Sequence, residues 1–316
     1  MRFREMKKFR LVGPRVIREK RFSICTMVND WGRYRTLQEA WTKMGFGAGD
    51  CEYLACDNVK NNLLDGYAAT RLFLEAARGE YVILTHLDSR PLEKKKTLLR
   101  ILRELDAWDP RWAVLGNAGV EQAALEFVTL GLRMPDYPQK KHPDPFRQVH
   151  ALDENLLLVK AEARLTVSHD LQGFHLYGLD LCDVARRLGR TCYVARMRWY
   201  HASHGTLNEN FYRRVREMEK KMTAYRRPKL WGTNCTFLAV SRSPFIRAWA
   251  RARACWLLRK NEHHTSSERR EVWRTGRREP LLFPAYALLW LYKKTGLEKW
   301  RKVRLARHNS SPPAHA

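Results

Sequence analysis

From residue 22 to about 203 the chain alternates short apolar runs with stretches whose apolar positions recur every three or four residues. That is the pattern of strands alternating with amphipathic helices, and it predicts an α/β fold with a mostly parallel sheet flanked by helices. FSICTMV (22–28) reads as a first strand and GRYRTLQEAWTKM after it as a helix. CEYLAC (51–56) is a second strand, and LLDGYAATRLFLEAA (63–77) a second helix. YVILTHLD (81–88) gives a third strand stopped by Ser89-Arg90-Pro91, with a helix from about 92 to 106. WAVLGNAGV (112–120) reads as a fourth strand, and VHALDENLLLVKA (149–161) as a strand pair or one bent strand. YGLDLCDVARRLG (177–189) is a helix stopped by Gly189, and RTCYVARMRWYHAS (190–203) a last strand. Residues 121–148, with four prolines, read as a loop-rich insertion.

In open α/β sheets, ligands bind beyond the carboxyl ends of the strands. Three such ends carry polar residues: Thr26 to Asp30, Asp57-Asn58, and His86-x-Asp88. Any one of them alone is explained as a helix cap or a turn. The three together point to hard-oxygen ligands for Mg²⁺ or Mn²⁺.

The run DNVKNNLLDGYAATRLFLEAARGEYVILTHLDSRP resembles the nucleotide-binding half of family-two-like glycosyltransferases of the GT-A fold. ALDENLLLVKAEA, GFHLYGLDLCDVARRLG and YHASHG resemble the acceptor-side half, in the form of a bacterial branch with H-x-D in place of DxD. The resemblance covers about residues 22–235 and rests on the order and spacing of the motifs. It implies a metal-dependent, inverting, hexosyltransferase-type enzyme that uses a nucleotide-sugar, with UDP the preferred nucleotide. By the same resemblance Asp88 would hold Mn²⁺ or Mg²⁺, with His201 or His204 completing the metal or diphosphate site. Asp57 would bind the base, with Asn58, Thr26 and Asn29 lining the same pocket, and His86 would contact metal, ribose or phosphate. Asp180 would be the catalytic base. Asp153 and Glu154 are candidates for acceptor contacts or turn residues, and Trp231 for a loop over the donor or for the core.

Charge changes the picture at the two ends. The chain carries 59 Lys and Arg against 33 Asp and Glu, a formal +26. Residues 1–21 hold nine of those cations against two Glu, and residues 242–316 hold 18 against five Glu. The sequence therefore divides into a basic tail (1–21), a catalytic domain (22–240), a basic amphipathic helical extension (241–307) and a disordered tail (308–316). PFIRAWARARACWLLRKNEHH suits a helix lying on an anionic membrane, and equally a helix packed on the catalytic domain. The first reading would place the chain peripherally on the inner face of the cytoplasmic membrane. Its acceptor would then be a glycan or lipid-linked intermediate of polysaccharide or lipopolysaccharide synthesis. A nucleic-acid partner is the rival explanation of the charge, but no helix-turn-helix, zinc-finger or RNA-stacking signature accompanies it. A GT-A scaffold without activity is a third reading, supported by His86 in place of an acid. The seven cysteines show no CxxC or Cys/His zinc spacing and read as thiols in a reducing compartment. The basic start lacks the apolar stretch of a secretory signal, and no apolar run approaches the roughly 20 residues of a spanning helix.

Overall fold

A computed structural model describes residues 19–121, 126–130, 132–133, 144–203, 205–260 and 265–295. The first half runs β1 (Lys20–Val28), α1 (Trp31–Lys43), β2 (Cys51–Asp57), α2 (Gly66–Ala76), β3 (Gly79–Thr85), β4 (Ser89–Pro91), α3 (Lys95–Trp108), β5 (Trp112–Gly116), β6 (Ala118–Glu121), β7 (Glu126–Thr129) and β8 (Leu132–Arg133). It continues through β9 (Phe146–Gln148), β10 (Ala151–Leu152), β11 (Leu156–Lys160), α4 (Tyr177–Arg187), β12 (Thr191–Ala195) and β13 (Trp199–His201). The remainder is α5 (Glu209–Thr223), β14 (Lys229–Gly232), β15 (Phe237–Val240), α6 (Pro244–Lys260), α7 (Ser266–Gly276) and α8 (Leu282–Lys294).

Seven strands form the central sheet in the order β2-β1-β3-β11-β5-β12-β9. Five of them share one direction, while β11 and β9 run against their neighbours. The mostly parallel α/β sheet expected from the alternation is therefore present. Successive side chains of a strand point to opposite faces, and both faces here are covered. Phe22, Ile24, Tyr81, Ile83, Leu156 and Leu158 join α1 and α3 in one core. Cys25, Val82, Leu84, Leu157 and Val159 join α2, α4 and α5 in the other. This two-sided burial is why the strands read as continuous apolar runs rather than alternating ones.

Two stretches expected as single strands are broken in two. The sheet ends at Gly116, and Asn117 turns the chain into β6, which pairs with β7 and β10 outside the main sheet. Likewise β12 stays in the main sheet while β13 leaves it to pair with β4 and β8. The loop-rich insertion holds β7, β8 and β9, and the described part of the chain adds α5 and the β14–β15 hairpin. All seven cysteines are free thiols.

The C-terminal helices are anchored to the sheet-bearing part by a buried ion pair. Arg251 of α6 donates to both carboxylate oxygens of Glu219 of α5, at 2.8 and 2.6 Å. Glu219 also accepts from the Ala239 backbone N–H at 2.7 Å. Helix α6 thus packs on the domain, and its small residues Ala248 and Ala252 receive Leu282, Ala285 and Leu289 of α8. Among the described residues no helix is long and apolar enough to cross a membrane.

Candidate active site

Topology brings the site together at the carboxyl edge of the sheet. Strands β1, β2 and β3 are parallel, so the residues after Val28, Asp57 and Thr85 emerge side by side. Strand β11 runs the other way with Leu156 opposite Thr85, which puts Asp153 and Glu154, just before it, at that same edge. The β4–β13 pairing sets His201 opposite Ser89, next to Asp88. That register is pinned from below: the Trp199 indole N–H donates to the Ser89 hydroxyl (2.5 Å), which donates to the Asn155 carbonyl (2.9 Å).

His86, Asp88 and His201 converge so that one ligand atom from each lies within 4.8 Å of the others. His201 Nε2 sits 3.6 Å from Asp88 Oδ1. It is buried yet has no hydrogen-bond partner, a costly condition for a polar atom unless something else satisfies it. His86 Nε2 is 2.9 Å from the Tyr177 hydroxyl, which fixes the ring's orientation. Burial and the neighbouring His201 hold the His86 imidazole below its ordinary pKa, so it is neutral near pH 7. Burial alone would raise Asp88, but the Ser203 hydroxyl and the two imidazoles outweigh it and keep the carboxylate below its usual range. Two imidazoles, one of them carrying the orphaned buried nitrogen, and one ionised carboxylate make a donor set that fits Mn²⁺ and, less well, the oxygen-preferring Mg²⁺.

Glu154, two residues before β11 at the same sheet edge, is half-buried. Its Oε1 accepts from the Gly178 backbone N–H at 3.1 Å, in the first turn of α4. A side chain at 178 would intrude there: an added Cβ would lie 2.5 Å from the Leu152 carbonyl and 3.2 Å from Glu154 Oε1. Burial, with the charge of Asp153 adding to it, pushes the Glu154 carboxyl up to about 8. Asp153 itself is committed, accepting from the Asn155 backbone and amide through Oδ1 and from the Asn234 amide through Oδ2. Leu176, just before α4, has a left-handed backbone (φ 70°), unusual for a residue with a side chain. It turns the chain so that α4 starts with Tyr177 facing His86.

The other residues expected in the site divide between the sheet edge and the interior. Asp180 is 1% exposed, and both its oxygens are held by Ser168, from the backbone N–H at 2.6 Å and the hydroxyl at 2.8 Å. Desolvation raises its pKa against those two bonds. Asp57 and Asn29 are exposed at the sheet edge, and Asp57 Oδ1 accepts from the Val59 backbone at 3.0 Å. Asn58 is buried and uses its amide in both directions on Leu64, shaping the loop rather than facing a ligand. Thr26 is buried with its hydroxyl unpartnered, as is Thr85, its partner in register. Asp30 caps α1 through the Arg33 N–H, a local role. Trp231 is a core aromatic, edge-on to His150 at 5.0 Å between ring centres, and does not stand on a loop over the site. His204 lies outside the described residues. Sequence reasoning missed Tyr177, whose only signal was its place directly before Gly178 and three residues before Asp180 at the start of a helix.

No family model matches the chain. A protein of Fuscovulum blasticum described as "ATP synthase subunits region ORF 6" is 33% identical over 212 residues, which make up 65% of this chain and 84% of that protein. The chain belongs to the family of that protein. Among solved structures, S. aureus TarS 1–349 in complex with UDP-GlcNAc is similar with a TM-score of 0.45 and 13% identity, over 64% of this chain and 66% of that one. The mannosyltransferase PcManGT of Pyrobaculum calidifontis, in complex with GDP-Man and Mn²⁺, is similar with a TM-score of 0.43 and 13% identity, over 90% of this chain and 82% of that one. At these scores the two likenesses carry no argument about activity, which has to come from the site.

Proposed function

We propose that the chain is an inverting glycosyltransferase of the GT-A type. It moves a sugar from a nucleoside diphosphate donor, with UDP the preferred nucleotide, to a hydroxyl of a glycan or lipid-linked acceptor. The observation that carries this reading is the His86–Asp88–His201 cluster, with an orphaned imidazole nitrogen, at the carboxyl edge of a mostly parallel sheet. Held by those three side chains, Mn²⁺ or Mg²⁺ would supply positive charge against the leaving diphosphate. Asp57 binds the base, with Asn29 just after the neighbouring strand and Thr26 two residues inside that strand's end.

Glu154 is the base in this scheme. As the acceptor oxygen attacks the anomeric carbon from the face opposite the diphosphate, its proton passes to the Glu154 carboxylate and the bond from that carbon to the diphosphate oxygen breaks. The anomeric centre inverts. Glu154 suits the role because it is reachable and, with its carboxyl titrating at about 8, its ionised form is a strong proton acceptor whose share grows as the pH rises toward 8. Asp180, fully engaged by Ser168, braces the start of α4 instead.

A thermal-shift series tests the reading with UDP, GDP, CDP and dTDP, each with and without Mn²⁺, on the wild-type chain and on Asp88→Ala. One diphosphate should raise the melting temperature only when metal is present, and not in the variant. A ligand at a hundred times its Kd adds about 2.7 kcal/mol to the folded state, which such a series resolves. The absence of any shift, together with no turnover of any nucleotide-sugar, would overturn it.

A further inference from the structure

Helix α8 is built inside out for a protein surrounded by water. Its buried side is Leu282, Ala285 and Leu289 on α6, but its outward side is just as apolar. Phe283 is 61% exposed, Leu288 48%, Trp290 41% and Leu291 50%. Pro284 and Ala287 are exposed between them. At about 100° per residue these six positions span a continuous arc of about 160°. Lys294 is the one charged residue on that arc. It sits at the helix end, its ammonium 4.5 Å from the centre of the Trp290 ring.

Beside Phe283 opens a cleft of about 1110 Å³ whose walls include Arg269, Arg270, Arg274 and Arg277 of α7 and the turn after it. Arg274 is engaged by Glu271 and Glu209. Arg270 and Arg277 are exposed and make no side-chain ion pair among the described residues. An apolar face thus adjoins a cationic cleft at the end of the chain that holds 18 Lys and Arg against five Glu.

We propose that the outward face of α8, with this cleft, is a docking surface for an anionic lipid bilayer. Phe283, Leu288, Trp290 and Leu291 enter the headgroup and acyl boundary while the arginines meet lipid phosphates. With 13 residues, α8 is about 20 Å long, too short to span a bilayer, so it lies in the plane. Charge decides against the two other occupants. A second copy would bring an equally cationic end against this one. A nucleic acid would satisfy the arginines and leave the apolar arc in water. The surface shares no residue with the candidate active site, so this inference does not depend on the activity proposed above.

Co-sedimentation of the full chain with vesicles tests it, comparing phosphatidylcholine alone with phosphatidylcholine and phosphatidylglycerol mixed. The wild type should bind the mixed vesicles and not the neutral ones. Leu288→Ser combined with Leu291→Ser, both on exposed positions, should weaken binding about tenfold or more with the melting temperature unchanged. Arg270→Gln combined with Arg277→Gln should weaken it less, and should remove part of its salt sensitivity. Equal binding to both vesicle types overturns the proposal, as does a serine variant that binds like wild type. Two further results would also overturn it: a wild-type dimer that the serine pair dissociates without any vesicle binding, and RNA binding lost in the glutamine pair without any vesicle binding.

Discussion

Replacing Glu154 by Gln should make the protein more stable and, at the same time, inactive. Gln keeps an oxygen for the Gly178 N–H, so the local hydrogen bond survives. What it removes is an ionisation that the folded state resists. The Glu154 carboxyl titrates at about 8 in the fold against an ordinary 4.5. Below pH 4.5 the group is neutral in both folded and unfolded chains and costs nothing. Between 4.5 and 8 the unfolded chain ionises while the folded one does not, so the wild type loses stability as pH rises through that window. At pH 8 the ceiling on this cost is about 4 kcal/mol. Because the carboxyl is only half-buried, water relieves part of it, and about 2 kcal/mol is the expected value. The assay is urea unfolding of wild type and Glu154→Gln with a metal chelator present, across pH 5 to 8.5. Histidines held below their ordinary pKa, such as His86 and His150, act in both proteins and cancel in the difference. The variant should match the wild type near pH 5 and exceed it progressively above. Turnover of the donor should fall about 10²–10⁴-fold, the usual worth of a general base. A constant stability difference across the range would refute the electrostatic argument, and a variant retaining wild-type turnover would refute the role.

Asp180→Asn should show the opposite combination. It weakens two bonds to Ser168 at a cost of about 1–3 kcal/mol, read from the denaturant midpoint, while turnover stays within about tenfold of wild type. An Asp180→Asn chain that is fully stable and has lost activity about 10³-fold would return the base to that residue. Arg251→Met strands Glu219 in the core and should cost about 3–5 kcal/mol. Adding Glu219→Leu should recover much of that loss, leaving mainly the Ala239 N–H without its acceptor.

Fold class was legible in the chain because its strands are buried on both faces and its helices on one, so each kind of element leaves a different apolar period. Candidate ligands were legible for a related reason. Polar residues that follow a buried strand stand at the sheet's rim, and His86 and Asp88 were recognisable there without any coordinates. Other features depended on contacts between distant parts of the chain. WAVLGNAGV and RTCYVARMRWYHAS each read as one strand, since a strand that leaves one sheet for another keeps its apolar pattern. His201 was one of two equivalent-looking histidines, and only the pairing of Trp199–His201 with Ser89–Pro91 sets it against Asp88.

Asp180 and Glu154 show the division most sharply. Local sequence places Asp180 in the first turn of a helix and Glu154 before a strand, and either position suits a carboxylate. The tertiary structure turns one inward onto Ser168 and leaves the other half-open at the sheet edge. The same holds at the C-terminus, where α6 and α8 both mix aromatic and aliphatic residues. Local sequence settles which side chains are apolar and at what period they recur. Which of two apolar faces meets protein and which meets solvent was decided only when Ala248 and Ala252 of α6 received Leu282, Ala285 and Leu289. Burial is a property of pairs of surfaces, and a single segment carries only one of them.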